Sequence, residues 1–147
     1  MPNIVIVDDN PADQTLIAEA FREAFKGKDY ASTLHLFADG DSALNFLAER
    51  QKRSLPERPG LVVLDLNLPG KHGFEVLTEI KSDPNMKNIP VVVFTTSDSR
   101  DDVERAYARH ANSYIIKPMG LDRLFTVIDQ MKRYWFDTVE RPEAVLQ

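Results

Sequence analysis

Apolar residues along this chain alternate between two patterns. Short unbroken runs occupy residues 3–7 (Asn-Ile-Val-Ile-Val), 61–64 (Leu-Val-Val-Leu) and 89–94 (Ile-Pro-Val-Val-Val-Phe). A short β-branched run bounded by turn residues reads as a strand buried on both faces of a parallel sheet. Residues 33–37 and 113–116 add two further strands. Between the runs, apolar residues recur at helical spacing. Asn10-Pro11 opens the first helix, with Asn10 as N-cap and Pro11 in the first turn. Its stripe is Leu16, Ile17, Ala20, Phe21, Ala24 and Phe25, and Gly27 ends it. Asp39-Gly40 opens the second, through Ala43, Leu44, Phe46 and Leu47. The third spans 72–82 with Phe74, Val76, Leu77 and Ile80 inward, and Asp83-Pro84-Asn85 breaks it. A more polar fourth helix at 100–109 has Val103, Ala106 and Tyr107 as its apolar face. The fifth, 121–136, places Leu121, Leu124, Phe125, Ile128, Met131 and Trp135 on one side. Trp135 continues that stripe and reads as core, whereas Phe136 falls off it and reads as a candidate partner surface.

Five strands alternating with five helices predict an α/β fold, a doubly wound parallel sheet with right-handed crossovers. Residues 1–136 form one domain, and 137–147 a short polar tail of no assigned role. Residues 51–60, with two prolines and three basic residues, read as a surface loop.

Composition narrows the chemistry. No cysteine occurs, which removes disulfides, thiolate nucleophiles and cysteine-based zinc sites. The histidines, His35, His72 and His110, lack metal-site spacing. A net charge of −5 argues against nucleic-acid binding. No apolar stretch could cross a membrane and the start does not resemble a signal peptide, so a cytoplasmic location is expected.

The candidate chemistry lies at the carboxyl ends of the predicted strands, the edge where open α/β sheets bind ligands. Asp8 and Asp9 follow the first strand, Asp65 the third, Thr95 the fourth and Lys117 the fifth. Three carboxylates gathered on one edge repel and call for a cation, and hard oxygen donors open to water suit Mg²⁺. With Lys117 as a second cation and Thr95 as a hydroxyl donor, the set suits a transferred phosphoryl group. Asp65, on the central apolar run, is the best nucleophile, leaving Asp8 and Asp9 as metal ligands.

These motifs, in this order, resemble the response-regulator receiver (CheY-like) family over residues 3 to about 136. The resemblance rests on Ile-Val-Asp-Asp, Asp-Leu-Asn-Leu-Pro-Gly, Phe-Thr-Thr-Ser and Tyr-Ile-Ile-Lys-Pro. The intervals are 30 residues from Asp65 to Thr95 and 22 from Thr95 to Lys117. It implies a flavodoxin-like sheet of order 2-1-3-4-5, with Asp65 as phosphoacceptor. Asp9 would bind Mg²⁺ directly, Asp8 largely through water, and Asn67 through its backbone carbonyl. Lys117 would hold a phosphoryl oxygen and precede a cis peptide at Pro118. Thr95 would follow the phosphoryl group inward, and Tyr114 would turn into the space vacated. His72 departs from the family's frequent Asp at a helix-capping position and reads as simply exposed.

A narrower resemblance rests on Asn-Leu-Pro-Gly-Lys, Thr-Thr-Ser, His-Ala-Asn-Ser-Tyr and Tyr-Trp-Phe. These look like single-domain regulators that partner phytochrome-type histidine kinases and dimerise through helix 4, strand 5 and helix 5. The function implied is a phosphorelay switch that modifies itself, not an enzyme in the usual sense. A haloacid-dehalogenase-type phosphatase would need a second Asp where Asn67 stands. A flavodoxin-type cofactor site would need a Ser/Thr/Gly-rich phosphate loop, which no strand end carries. A pseudo-receiver that binds partners without phosphorylation is the remaining alternative, and the intact Asp8, Asp9, Asp65, Thr95 and Lys117 argue against it.

Overall fold

The computed structural model of the chain describes residues 2–27 and 32–142. Five parallel strands form one sheet in the order β2-β1-β3-β4-β5: β1 (Asn3–Val7), β2 (Thr33–Phe37), β3 (Pro59–Leu64), β4 (Val91–Thr95) and β5 (Ser113–Ile116). The helices are α1 (Pro11–Phe25), α2 (Gly40–Arg50), α3 (Gly73–Ser82), α4 (Arg100–Ala108) and α5 (Leu121–Lys132). β3 lies in the middle, so Asp65 leaves the sheet at its centre.

Strand side chains alternate between two faces, and each face has its own core. Val5, Val7, Val62, Leu64, Val91 and Val93 meet α2, α3 and Ala106 of α4 on one side. Ile4, Ile6, Leu61, Val63, Val92 and Phe94 meet α1 and α5 on the other. β1, β3 and β4 are buried throughout, as their unbroken apolar runs require, while the edge strands β2 and β5 are half-buried. Burying each of these large apolar side chains contributes about 1.5–3 kcal/mol. Caps fix where the helices begin. Asn10 Oδ1 accepts from the backbone N–H of Ala12 and Asp13, and Asp39 Oδ1 from that of Ser42.

Several expectations are corrected. Pro59 and Gly60 belong to β3 instead of a loop. Proline is tolerated as the first residue of a strand, and the register slips there, Asn3 facing Pro59 but Ile4 facing Leu61. A 3₁₀ turn, Leu55–Glu57, precedes it. His72 is not merely exposed: its Nδ1 accepts from Phe74 N–H at 3.2 Å, capping α3 as an Asp would. Tyr107 and Leu121 are exposed. α4 is short and polar with only Ala106 buried, and Leu121 sits in the first turn of α5, beyond the last strand.

The helical stripe also fails at its end. α5 gives way after Lys132 to a π-helical turn, Arg133–Thr138. With i→i+5 bonding, residues five apart share a face. Lys132 thus pairs with Asp137 at 2.9 Å, and Phe136 packs edge-on against Phe25 of α1, 5.5 Å between ring centres. Phe136 is therefore a packing residue, capped by the Arg141 guanidinium. Trp135 is half-buried and lines an open groove with Ile115, Met131 and Tyr134.

Candidate functional site

The predicted residues converge at the carboxyl end of the sheet because backbone hydrogen bonds tie the strand ends together. Asp8 N–H donates to Phe37 O and Asp65 N–H to Val7 O, both at 2.9 Å. Lys117 N–H donates to Thr95 O at 2.7 Å. The Gln14 side-chain amide, reaching from α1, donates to Asp8 O and Phe37 O and pins the end of β1.

At the centre, Lys117 Nζ donates to Asp8 Oδ2 at 2.7 Å, Asp13 Oδ2 at 2.8 Å and Asp65 Oδ2 at 3.1 Å. The other oxygens are held by backbone: Asp8 Oδ1 accepts from Asn10 N–H, and Asp65 Oδ1 from Asn67 N–H. Asp8 and Asp65 are buried and Asp9 is exposed. Ligand oxygens of Asp8, Asp9 and Asp65 all lie within 4.8 Å of one another. Three hard oxygen donors, one open to solvent, fit a small divalent cation that keeps several waters.

Electrostatics shows the tension in the cluster. Burial raises the Asp8 carboxyl above the usual range, and the neighbouring Asp65 charge adds to this. Hydrogen bonds from Lys117 and Asn10 and the Lys117 charge oppose it without cancelling it. Burial works against the Lys117 ammonium too, but bonds to Asp13 and Asp8 and the charges of Asp65 and Asp8 outweigh it. Lys117 is held above the ordinary lysine range and stays charged.

Thr95 is the last residue of β4, not one beyond it, and is fully buried. Tyr114, on β5, is half-buried against the α2–α3 core, and its hydroxyl donates to Ser97 O at 2.9 Å. Burial raises the Tyr114 phenol, with the Asp102, Asp65 and Asp98 charges adding to this against the Ser97 bond. Asn67, two residues past Asp65, is exposed. Lys117–Pro118 is trans, not cis. Trans is the isomer favoured for an X–Pro bond by about 0.5–1 kcal/mol.

Two contributors lay outside the sequence reading. Asp13 is the third partner of Lys117, and in the sequence nothing marks it off from any acidic residue in the first turn of a helix. Gly73 lets α3 rest on the loop that follows Asp65. Its N–H donates to Leu66 O at 2.9 Å, and an added Cβ would stand 2.5 Å from Asp65 O and Leu66 Cα.

Comparison with known proteins agrees with this geometry. Residues 4–129 match the response regulator receiver domain. The response regulator Rcp1 of Synechocystis is 40% identical over 96% of this chain and 93% of its own length. A probable methanogenesis regulatory protein of Methanothrix harundinacea, FilR2, is 44% identical over 90% of this chain and 82% of its own. Among solved structures, the phosphorylated cyanobacterial phytochrome response regulator RcpA superposes with a TM-score of 0.86 at 40% identity, covering 96% of this chain and 98% of that one. A Mn²⁺-bound form of Rcp1 superposes at 0.81, covering 97% and 99%. With its fold, its strand-end carboxylates and these relatives in agreement, the chain belongs to the response-regulator receiver family of two-component signalling.

Proposed function

We propose that this protein is a phosphoacceptor switch in which Asp65 takes a phosphoryl group from a histidine kinase. The observation that carries the reading is the meeting of Lys117 with Asp65 and Asp8 beside the three-carboxylate cluster. Asp65 Oδ attacks phosphorus as the N–P bond of the donor phosphohistidine breaks, and the electron pair returns to the imidazole nitrogen. Asp8, Asp9, Asp65 and the Asn67 carbonyl would hold Mg²⁺, which supplies positive charge against the phosphoryl oxygens. Lys117 neutralises a further oxygen, and the Thr95 hydroxyl donates to the phosphoryl group once it is in place. Hydrolysis of the acyl phosphate on Asp65 resets the site, so the protein acts on itself and turns over no separate substrate.

Phosphorylation shifts a two-state equilibrium in which Thr95 and Tyr114 move together. It is read on the face formed by α4, β5 and α5, where Tyr107 and Ile116 are exposed, as is Tyr134 in the π-helical turn that follows α5. Similarity to RcpA, a phytochrome response regulator, supports a phytochrome-type kinase as donor, and the exposed Tyr107 and Ile116 are the apolar surface a homodimer through this face would cover. No described helix is long and apolar enough to cross a membrane, in keeping with action in the cytoplasm.

The test is intact-protein mass after incubation with acetyl phosphate or phosphoramidate and Mg²⁺, beside Asp65→Asn. One added phosphoryl group is expected, absent from the variant and from chelated samples. No addition under any condition would favour the pseudo-receiver reading. Sedimentation with and without beryllofluoride tests the dimer, and a monomer in both states would remove it.

A further inference from the structure

The Lys117 ammonium has three protons, and each meets a carboxylate, on Asp8, Asp13 and Asp65. Asp8 and Asp65 also belong to the three-carboxylate cluster, whereas Asp13 does not. Building on the phosphoacceptor reading, we propose that Asp13 is a positioning residue that shares Lys117 with the site. It draws the ammonium away from the cation-binding carboxylates, and it competes for that ammonium with a phosphoryl group on Asp65.

Asp13 is held independently of the cluster. Its backbone N–H is taken by the Asn10 cap, and it stands in the first turn of α1, where the helix dipole favours negative charge. Its side chain is 36% exposed, against 2% for Asp8 and 7% for Asp65, so it is the solvent-side partner toward which Lys117 can withdraw. Asp13 and Lys117 are also the charged members of an otherwise apolar cavity of about 280 Å³ lined by Leu16, Phe94, Leu121 and Leu124. Apolar walls on one side strengthen an ion pair relative to one in open water.

The sharing has two consequences of opposite sign. Asp13→Asn removes a negative charge and leaves Lys117 no charged partner outside the cluster, so Lys117 competes harder for Asp8 and Asp65. Divalent-cation affinity falls, by about five-fold for a half-exposed pair. At saturating cation the same change removes a rival and a repulsive charge, so the phosphoryl analogue beryllofluoride binds about five-fold tighter. Damage to the fold would weaken both.

The experiment titrates Mg²⁺ by calorimetry, then beryllofluoride at saturating Mg²⁺. The samples are the full chain, Asp13→Asn, Asp13→Glu, Lys117→Gln and the Asp13→Asn/Lys117→Gln double variant. Expected are opposite shifts in Asp13→Asn and their partial reversal in Asp13→Glu. In the Lys117→Gln background, the Asp13→Asn effects should shrink toward the residual charge contribution. Constants within about two-fold of wild type, a shift of both in one direction, or an undiminished effect without Lys117 would overturn the proposal while leaving the phosphoacceptor reading intact. Wild-type protein that binds Mg²⁺ but no beryllofluoride would instead overturn that reading, and the proposal with it.

Discussion

Gly73→Ala tests whether the start of α3 positions Asp65. The added Cβ would lie 2.5 Å from Asp65 O, 2.5 Å from Leu66 Cα and 3.0 Å from Leu66 O. Carbon contacts are optimal at about 3.5–4.0 Å, so relief needs a shift of about 1 Å. All three neighbours are backbone, and no rotamer change can supply that shift. Overpacking of this kind costs about 3 kcal/mol at the upper end of its usual range. Reduced freedom of the unfolded chain returns about 0.4–1 kcal/mol. The net loss is about 2 kcal/mol, a fall in Tm of about 6 °C for a chain of this size. The strain falls on the peptide that carries Asp65, and a misplacement of about 1 Å costs about 100-fold in rate. Thermal melts report the first effect and the initial rate of phosphorylation by phosphoramidate the second. Gly27→Ala is the control: its φ of +76° gives a similar penalty for an L-residue, but nothing lies within 4 Å of the added Cβ and the site is distant. It should lose about 1–2 kcal/mol and phosphorylate normally. A Gly73→Ala protein that melts like wild type, or that is destabilised yet phosphorylates at the wild-type rate, would refute the reasoning.

Two further outcomes follow from the site and its border. Burial is the main reason the Asp8 carboxyl is raised, so the fold favours its protonated form. Its contribution to stability is therefore full below the unfolded value of 3.8 and is lost as pH rises through the raised folded value. Asp8→Asn should accordingly be more stable than wild type at neutral pH, approach it in acid and bind Mg²⁺ more weakly; melts across pH with a parallel Mg²⁺ titration check this, and a lower neutral-pH midpoint would show that the Lys117 pair outweighs burial. His72→Ala should lose about 1 kcal/mol as α3 loses its cap, while His72→Asp keeps the cap and the wild-type denaturation midpoint; equal losses in both variants would assign the effect to the His72–Phe74 ring stack instead.

What could be read from the sequence was whatever one strand or helix specifies by itself. The runs of β1, β3 and β4 are apolar because both faces of the sheet are covered, and that pattern needs no knowledge of the neighbours. Asp8, Asp65 and Lys117 each follow a strand directly, so topology alone gathers them. Asp13 was not legible in this way. It sits in the polar first turn of α1, where an acidic residue is ordinary, and only the packing of α1 beside the β5–α5 connection brings it to Lys117. The His72 cap depends on a ring nitrogen doing the work of a carboxylate. The packing of Phe136 against the same core as Trp135 comes from a change of helical period within one turn, which a stripe extrapolated at constant spacing cannot contain.

The same hydrogen bonds suggest which element can move when Asp65 is modified. Two residues after Thr95 the chain enters a connected set: Tyr114 Oη donates to Ser97 O, Ser97 Oγ to Asp102 Oδ2 at 2.6 Å, and Asp102 N–H to Ser99 Oγ. Tyr107 Oη closes the set by accepting from Tyr114 N–H at 3.1 Å. A displacement at Thr95 would therefore reach the first turn of α4 and the edge strand β5 without crossing the core. Among the described residues of α4 only Ala106 is buried, whereas α3 buries Gly73, Phe74, Val76, Leu77 and Ile80. An element held by one small buried side chain and a few polar contacts shifts at far less cost than one held by four large ones. On the proposed function, α4 is thus the element that moves when phosphorylation is read, because it is joined to the site and buries one small side chain, while β5 stays paired with β4.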